Sequence, residues 1–337
     1  MVYAQYAAQT SMETSRGATA QMNSYFLPVG LLLAFVLAMV EPGPGKTLQE
    51  WGLVPWMVVT IFLVNGYQVN LRQLPRGGKL LPAAMVGILI SLLISPMVGL
   101  AVISVLDLPA GVAMGLVVMA TVPPTLSSGI VMTQLAGGNV AKALFLTILL
   151  NLVGVFTIPF MLKLTLGAAG LVSLSAWPLL KQLLSLVLIP FIAGILLQGV
   201  FRISARHRLL TLIPLSCVIA TVWMSASASS ATLKGLDIAL LLLVLAGSLF
   251  VHGSLLFLCW LSRFLYRPAR SEWIALLFTA SQKTLPIALG VLAIMDQSLG
   301  MAMVGCIMFH FVQLFLDSMI ASRMGRRSEA QESTGAR

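Results

Sequence analysis

The chain has 337 residues, of which 59% are hydrophobic and only 9% are charged, with a net charge of +10. A water-soluble domain needs roughly 25% charged residues on its surface, so this composition excludes a soluble protein. It predicts an all-α polytopic membrane protein. The basic residues are spread through short loops between apolar runs, so the positive charge does not indicate nucleic-acid binding.

Residues 1–24 lack a basic start followed by an apolar core, so we expect a polar cytoplasmic tail there and no cleavable signal peptide. Ten apolar runs follow, each close to the 20 or so residues needed to cross roughly 30 Å of hydrocarbon. A basic cytoplasmic tail is expected at 323–337. The ten predicted spans lie at about 25–42, 51–70, 80–105, 109–136, 139–163, 176–200, 208–228, 236–262, 271–294 and 299–322.

The placement of basic residues predicts the orientation of these spans. With a cytoplasmic amino terminus, 15 of the 20 Lys and Arg residues fall on the cytoplasmic side of a ten-span chain. Short cytoplasmic loops carry an excess of Lys and Arg in membrane proteins. Both termini are therefore predicted to be cytoplasmic, in a multi-pass protein of the cell (inner) membrane.

The fourth predicted span is interrupted by TVPPTLSSGIVMTQLAGGN, residues 121–139. Pro123 and Pro124 stop a helix because proline lacks an N–H group, and Gly129 lets the chain restart close to a neighbour. Non-helical backbone at membrane depth is tolerated only where protein buries it or where it lines a polar cavity. The final AGGN predicts a tight turn, with Asn139 as the cap of the fifth span.

The ninth predicted span carries a matching interruption around Pro286. Sliding the chain against itself places residue 125 over residue 284 and aligns the two interruptions. Each copy holds five spans, an odd number, so the second copy (176–322) is inverted relative to the first (25–163), with an outer linker at 164–175. Inverted repeats with paired broken helices are typical of secondary transporters, whose sites lie near the bilayer midplane.

Lys283 lies in the second interruption, where a lysine costs about 2.5–3.5 kcal/mol to place in the bilayer. Two functional roles follow from its charge: a counter-ion for an anion in a cavity, or a permanent occupant of a cation site. The alternative is a structural pair with Asp317 or with carbonyl groups of the broken helix.

Other polar residues also lie within the apolar runs. Hydroxyl groups in membrane helices commonly bond a nearby carbonyl, but a cluster at two symmetric interruptions favours site lining: Thr125, Ser127, Ser128, Gln282 and Thr284. Thr147 and Asn151 share one helical face, which leaves an interhelical hydrogen bond and a site contact equally open. Ser91 and Ser95 are similarly spaced, and packing is slightly favoured for them.

His252 and His310 are either proton relays or neutral hydrogen-bonded histidines, and Asp317 is expected to pair locally with Arg323. These three groups do not form a catalytic set, so an enzyme is not predicted. The three cysteines have no metal-site spacing and are predicted to act as small core residues.

The interruption at 121–139, the following VAKALFLTILLNLVG and the later FTASQKTLPIALG carry a family resemblance. Over about residues 25–322 the chain resembles the bile acid:sodium symporter family, in particular its SBF-like branch. The resemblance implies a panel of spans one, two, six and seven and a core of spans three to five and eight to ten. Spans four and nine would cross in that core, and alternating access would move the core against the panel.

The resemblance also implies sodium sites, with departures in this chain. One Na⁺ site would be formed by Ser128, Gly129 and Thr147, although Ala143 stands where relatives have a hydroxyl residue. Thr279 stands at the position of an acidic residue that joins both sodium sites in relatives.

Lys283 and Ser91 stand at two glutamine positions of the second implied sodium site. The hypothesis is that Lys283 replaces the second sodium ion. Coupling would then use one Na⁺, or H⁺ through Lys283, or neither.

The sequence and the resemblance together predict a secondary transporter of organic anions, either bile-acid or sterol-like molecules or smaller carboxylates. The expected partners are the anion and the lipid bilayer, with no organic cofactor and a monomeric or homodimeric state. The alternatives are a proton-coupled exporter of the same fold and a membrane sensor or regulator that does not transport.

Overall fold

The computed structural model describes residues 26, 27, 29–69, 75, 80–172, 174–201, 207–295 and 299–335. All regular elements in this described part are helices, and it contains no strand. The predicted all-α class is therefore confirmed. The predicted amino-terminal tail at 1–24 lies outside the described residues.

The first half of the described chain forms α1 Val29–Val40, α2 Pro42–Glu50, α3 Leu53–Gln68, α4 Leu80–Val105, α5 Ala110–Thr121, α6 Ser128–Leu135 and α7 Val140–Ala168. The second half forms α8 Ala176–Leu197, α9 Arg208–Ala228, α10 Ser230–Lys234, α11 Ile238–Tyr266, α12 Arg270–Ser281, α13 Leu285–Ile294 and α14 Leu299–Gly335. The predicted tail at 323–337 therefore begins as a continuation of α14. Wider π-helical turns occur within α4 at Leu89–Ile94 and within α8 at Leu184–Leu188.

Seven of the described helices are long and apolar enough to cross a membrane: α4, α7, α8, α9, α11, the α12–α13 pair and α14. Counting α1 with α2 gives eight, although the chain bends by 99° between them. Helices α3 and α5 are apolar but shorter. The molecule is a multi-pass membrane protein, and by helix length alone its described residues contain fewer spans than the ten predicted.

The bend after α1 corrects the prediction for the first span, which extended to residue 42. Helix α1 ends at Val40, and Pro42 begins α2, which occupies most of the stretch between the first two predicted spans. Proline suits the first turn of a helix because the N–H group that it lacks would have no partner there.

The interruptions predicted in the fourth and ninth spans are confirmed. Non-helical backbone separates α5 from α6 at 122–127, where Pro123 and Pro124 lie, and separates α12 from α13 at 282–284. Pro286 was expected to break the second helix, but it lies in the first turn of α13, where it starts the helix. The break itself precedes it.

The second broken span lies at the centre of the molecule. In its most apolar window, 94% of the α12–α13 pair is buried by protein, against 33–50% in the other six long helices. Helices α4, α6, α7, α11 and α14 all pack around this pair. The ninth predicted span is thus enclosed by protein and the other long helices face outward along part of their length.

Small residues allow two pairs of helices to approach closely. A side chain at Gly115 in α5 would overlap the backbone carbonyl of Ala302 in α14, and one at Gly305 would meet the backbone of α5. Likewise, side chains at Gly66 in α3 and Gly194 in α8 would overlap the partner helix backbone. Such contacts between small residues are a common basis of helix association in membranes.

The turn between α6 and α7 has the predicted form. Gly137 adopts a left-handed conformation with φ +75°, which suits glycine. The Asn139 side chain accepts a hydrogen bond from the Lys142 backbone N–H at 3.0 Å and so caps α7, as predicted. At the same end of the molecule Lys142 forms an ion pair with Glu272 of α12.

Candidate functional site

The two helix breaks meet in the interior, and we call residues 122–127 and 282–284 together the crossing. The Thr284 backbone N–H donates to the Pro123 carbonyl at 2.9 Å, which joins the two breaks directly. Thr125 Oγ1 and Ser128 Oγ both contact Gln282 Oε1, at 2.9 and 2.7 Å. Two residues predicted to line a site, Thr125 and Ser128, therefore share the amide oxygen of a third, Gln282.

The Gln282 side chain is oriented by a carboxylate. Its Nε2 donates to Asp317 Oδ2 at 2.7 Å, and both residues are fully buried. An ionised carboxylate only accepts hydrogen bonds, so the amide nitrogen must face Asp317 and the amide oxygen must face the crossing. Asp317 thereby determines which atom of Gln282 is presented to Thr125 and Ser128.

Asp317 has a second partner, which corrects the expectation of a local pair with Arg323. Its Oδ1 lies 2.9 Å from Nε2 of His252 in α11, and both side chains are inaccessible to solvent. The sequence could not show this pair because its members are 65 residues apart. A buried carboxylate needs such partners to offset the loss of hydration.

The Lys283 ammonium binds α4, and none of its described contacts involves Asp317 or the broken helices. Lys283 is fully buried, and its Nζ donates to the Ser91 carbonyl at 2.5 Å and contacts Ser91 Oγ at 3.3 Å. The partners named in the structural alternative, Asp317 and the carbonyl groups of the broken helix, are therefore replaced by a carbonyl of α4. Its position beside Ser91 agrees with the two being matched to one implied cation site.

The free Ser91 carbonyl has a local cause in the sequence of α4. In the π-helical turn at Leu89–Ile94 each N–H bonds the carbonyl five residues earlier, and the Ser95 N–H accordingly reaches Ile90. The next donor in this frame would be residue 96, which is a proline and has no N–H. The Ser91 carbonyl is left without that partner and accepts from Lys283 instead.

Gln313 of α14, which the sequence did not single out, fixes the backbone of Lys283. Its Oε1 accepts from the Lys283 N–H at 2.9 Å and its Nε2 donates to the Lys283 carbonyl at 2.7 Å. It also contacts His310 Nδ1 at 3.0 Å. The available signal was its position four residues before Asp317, which places both polar side chains on one face of α14.

Helix α7 supports the first break. The Asn151 Nδ2 group donates to the Pro124 carbonyl at 2.9 Å and to the Thr147 carbonyl at 2.8 Å, so Asn151 makes an interhelical hydrogen bond, one of the two roles left open for it. Gly154 lies against the Pro123 ring. Among the described residues, Thr147 Oγ1 and Asn151 Oδ1 are buried and have no hydrogen-bond partner.

The implied sodium ligands are only partly assembled. The Gly129 N–H contacts Thr125 Oγ1 at 3.3 Å, and a side chain at residue 129 would lie 3.3 Å from Gln282 Oε1. Ser128 joins the same cluster. No described hydrogen bond connects Thr147 to it.

Two further predicted site residues, Ser127 and Thr279, also lie outside this cluster. The Ser127 side chain is exposed at the start of α6. Thr279 Oγ1 donates to the Ala275 carbonyl within its own helix at 2.6 Å. Ser95, for which packing was favoured, donates to the Ala120 carbonyl of α5 at 2.6 Å. The cysteines are buried and unpaired as expected, and no three described His, Cys, Asp or Glu residues converge as metal ligands.

An apolar cleft lies beside the first break. Its cavity volume is about 20 Å³, and it is lined by α3, α7 and α8. Its polar lining residue is Asn151; the apolar ones include Phe62, Val155, Val187 and Phe191. The Asn151 amide, which also binds the first break, therefore lies at the edge of an apolar surface.

The chain is similar to known proteins over most of its length. Residues 25–326 match the model of the SBF-like CPA transporter family. The chain is 29% identical over 335 residues to "Probable sodium/metabolite cotransporter BASS4, chloroplastic" of Oryza sativa subsp. indica, covering 91% of this chain and 77% of that protein. It is 27% identical over 319 residues to the Arabidopsis thaliana protein of the same name, covering 90% and 73%.

A vertebrate relative is more distant. "Sodium/bile acid cotransporter 7" of Xenopus tropicalis is 22% identical over 321 residues, covering 90% of this chain and 92% of that protein. The resemblance noted from the interruption motifs is thereby confirmed. Since the matched region includes both broken spans and nearly the whole helical bundle, this chain belongs to the SBF-like CPA transporter family of multi-pass membrane proteins.

Proposed function

We propose that the chain is a secondary active transporter of organic anions that works by alternating access. The observation that carries this proposal is the crossing: two interrupted apolar helices meet inside the protein beside a buried ammonium. Broken helices at membrane depth present free backbone groups and helix-end partial charges to small solutes and coupling ions. A purely structural bundle has no need of such costly interruptions.

The proposed membrane topology has ten spans with both termini cytoplasmic. The seven long helices are completed by α1, by α3 and by the broken pair α5–α6. The repeats would be 25–163 and 176–322, and the backbone bond between Thr284 and Pro123 would join equivalent breaks near their pseudo-symmetry axis. The even number of spans agrees with the bias of basic residues.

The proposed anion path runs along the cleft between α3, α8 and α7. In the ten-span scheme α3 and α8 are panel helices and α7 is a core helix, so the cleft lies where the two parts would move against each other. Its apolar lining would contact the hydrocarbon body of a sterol-like or carboxylate solute, and the cleft would have to widen to admit one as the two parts move. The amide of Asn151 can contact a polar group of that solute.

The proposed cation coupling uses at most one Na⁺. Thr125, Ser128 and Gln282 offer neutral oxygens at the crossing, which fit Na⁺ as ligands, and Asp317 lies directly behind the Gln282 amide. The names of the plant and vertebrate relatives refer to sodium cotransport. The ammonium on Ser91 supports the hypothesis that Lys283 acts as the resident cation of the second site.

A thermal-stability titration of purified protein tests the anion proposal. Cholate and pyruvate are each compared with their uncharged methyl esters, in Na⁺ and in choline. A ligand that binds only the folded state stabilises it by about 2.7 kcal/mol at a hundredfold excess over Kd, so the anion that is a substrate should raise the melting temperature while its ester does not. Equal shifts for acid and ester, or no shift with any organic anion, would contradict the proposal.

A further inference from the structure

A second cleft opens where α11 ends and α12 begins, far from the crossing in the sequence. Its cavity volume is about 310 Å³, and it is lined by Arg263, Pro268, Arg270 and Trp273. We call it the basic cleft. Helix α11 has 29 residues and is therefore about 44 Å long, which matches the roughly 40–45 Å of a bilayer with its headgroups. The end of α11, and with it the basic cleft, lies at the level of lipid headgroups.

Aromatic rings hold the side chain of Arg263 in this cleft. Its guanidinium carbon lies 4.6 Å from the ring centroids of Trp260 and Phe264 and 5.9 Å from that of Trp273. Such cation–π contacts use the ring faces and leave the five N–H donors of a guanidinium available. No described hydrogen bond or ion pair occupies the donors of Arg263, since the described ion pairs lie elsewhere.

Positive charge dominates the surroundings of the basic cleft. Arg267 and Arg270 are both exposed beside it, and Arg270 also donates to a carbonyl of α14. The acidic residue nearest to them in sequence is Glu272, which is already paired with Lys142. A ligand that fits this cleft must therefore be an anion.

The backbone of Arg267 is in a conformation that glycine normally adopts. Its φ is +45°, and among the described residues it is the one non-glycine residue with a positive φ. This left-handed conformation ends α11, and Pro268 follows it. Because glycine fits such a backbone without strain, Arg267→Gly removes a charge from this region while keeping the local fold.

An exposed aromatic stripe leads from the basic cleft along α11 into the membrane. Phe257, Trp260 and Phe264 are exposed on one face of the helix, and their neighbouring rings contact each other at centroid distances of 5.8 and 5.4 Å. Leu261 and Leu265 beside them are exposed as well. Aromatic residues of this kind are enriched at membrane interfaces. The stripe offers contacts to an acyl chain, which a soluble phosphate lacks.

We propose that the basic cleft binds the headgroup phosphate of an anionic phospholipid. Arg263 and Arg270 donate to the phosphate, for which the planar guanidinium is well suited, and Arg267 adds to the attraction. The acyl chains lie against the aromatic stripe. Basic pockets between membrane helices are a recognised setting for anionic headgroups. A lipid in this position bridges the end of α11 and the start of α12.

Native mass spectrometry of the full-length protein in detergent tests the site. The protein is titrated with phosphatidylglycerol and with phosphatidylcholine of the same acyl chains. We expect phosphatidylglycerol to bind more tightly, because the choline cation is repelled by the arginines. Arg263→Gln and Arg267→Gly should each weaken phosphatidylglycerol binding by about fivefold, the contribution of one basic residue near an anionic surface, and leave phosphatidylcholine binding unchanged.

Lys181→Gln is the matched control, since Lys181 is an exposed basic residue on α8 and its loss should leave both lipid affinities at the wild-type level. Equal binding of the two lipids by the wild type would overturn the proposal. Wild-type phosphatidylglycerol affinity in Arg267→Gly would do the same. This variant should fold with an unchanged or higher melting temperature, so it decides the matter even if Arg263→Gln, which also loses its ring contacts, does not fold.

The soluble headgroup separates a lipid site from a site for free phosphates. Glycerophosphoglycerol, which has no acyl chains, should displace phosphatidylglycerol only at far higher concentrations. Displacement at equal concentrations would overturn the assignment to a lipid. Lipid binding does not depend on transport. A protein that binds no organic anion but shows the expected lipid preference would contradict the proposed function and leave the lipid site intact.

Discussion

Lys283 combines two features that are rarely found together, an ammonium with no solvent exposure and an acceptor that is a backbone carbonyl. A structural lysine would be expected to pair with a carboxylate, and Asp317 is present on a neighbouring helix. Asp317 instead binds His252 and Gln282. The positive charge is thus left without a directly bonded counter-charge among the described contacts, as suits a residue that replaces a bound cation.

Substituting Lys283 by alanine should make transport or thermal stability depend on Na⁺. Removal of the ammonium frees the Ser91 carbonyl for a cation and relieves the repulsion of a second positive charge. The measurement is stability and anion uptake in Na⁺ against choline. Lys181→Ala is the control, since Lys181 is exposed on α8 and should give the wild-type response. If transport by Lys283→Ala is unchanged in both salts, the hypothesis that Lys283 replaces a sodium ion is contradicted.

For single residues, the sequence predicted which polar side chains lie near the helix breaks better than it predicted their hydrogen-bond partners. Thr125, Ser128 and Gln282 lie at proline-marked interruptions, so their approach to one site followed from the pattern. Asp317 and Gln313 bind partners that are 30 to 65 residues away in the sequence. Such pairs depend on how helices rotate against one another, and the spacing within one apolar helix does not carry that information.

Among the helices, α5 and α14 form a close contact that supports the crossing. Helix α5, the first half of the fourth predicted span, packs closely against α14, which also provides Gln313 and Asp317. Gly115 lies where the α14 backbone leaves no space for a side chain. The helix that orients the amide of Gln282 is therefore held in register with the helix that ends at the first break.

Gly115→Ala should destabilise the protein by about 1–3 kcal/mol, the usual cost of overpacking. Gly253→Ala is the matched control, because a methyl group at Gly253 in α11 meets no atom within 4 Å. That change should be neutral or slightly stabilising, since alanine is the better helix former. Tryptophan fluorescence during thermal unfolding measures both. Equal melting temperatures for the two variants would show that the α5–α14 contact can relax.

Helix boundaries were predicted best where proline and glycine act locally. The interruption at 122–127 and the turn at Gly137 follow from the side chains present. The bend between α1 and α2 was missed, because a proline after an apolar run equally suits a loop and the first turn of a new helix. Only the packing of α2 against α9 separates these alternatives.

For the whole molecule, the ten-span topology predicts that both termini face the cytoplasm. A fluorescent protein fused at the carboxyl terminus should fluoresce, and alkaline phosphatase inserted at the turn containing Gly170, which the scheme places outside, should be active. The physical reason is the concentration of Lys and Arg in alternate loops. The reciprocal fusions are the controls. An active phosphatase at the carboxyl terminus would contradict the topology.

The deep burial of the α12–α13 pair has a consequence for how the protein is made. This segment has the lowest mean hydropathy of the seven long helical segments, 1.4 against 1.7–2.5, and it carries Lys283. A lone lysine at mid-membrane opposes entry into lipid by about 2.5–3.5 kcal/mol. Its acceptor, the Ser91 carbonyl, belongs to a helix synthesised much earlier. We therefore expect insertion of this span to depend on earlier helices that remain near the translocation channel, so that the contact between Lys283 and Ser91 would also set the order of assembly.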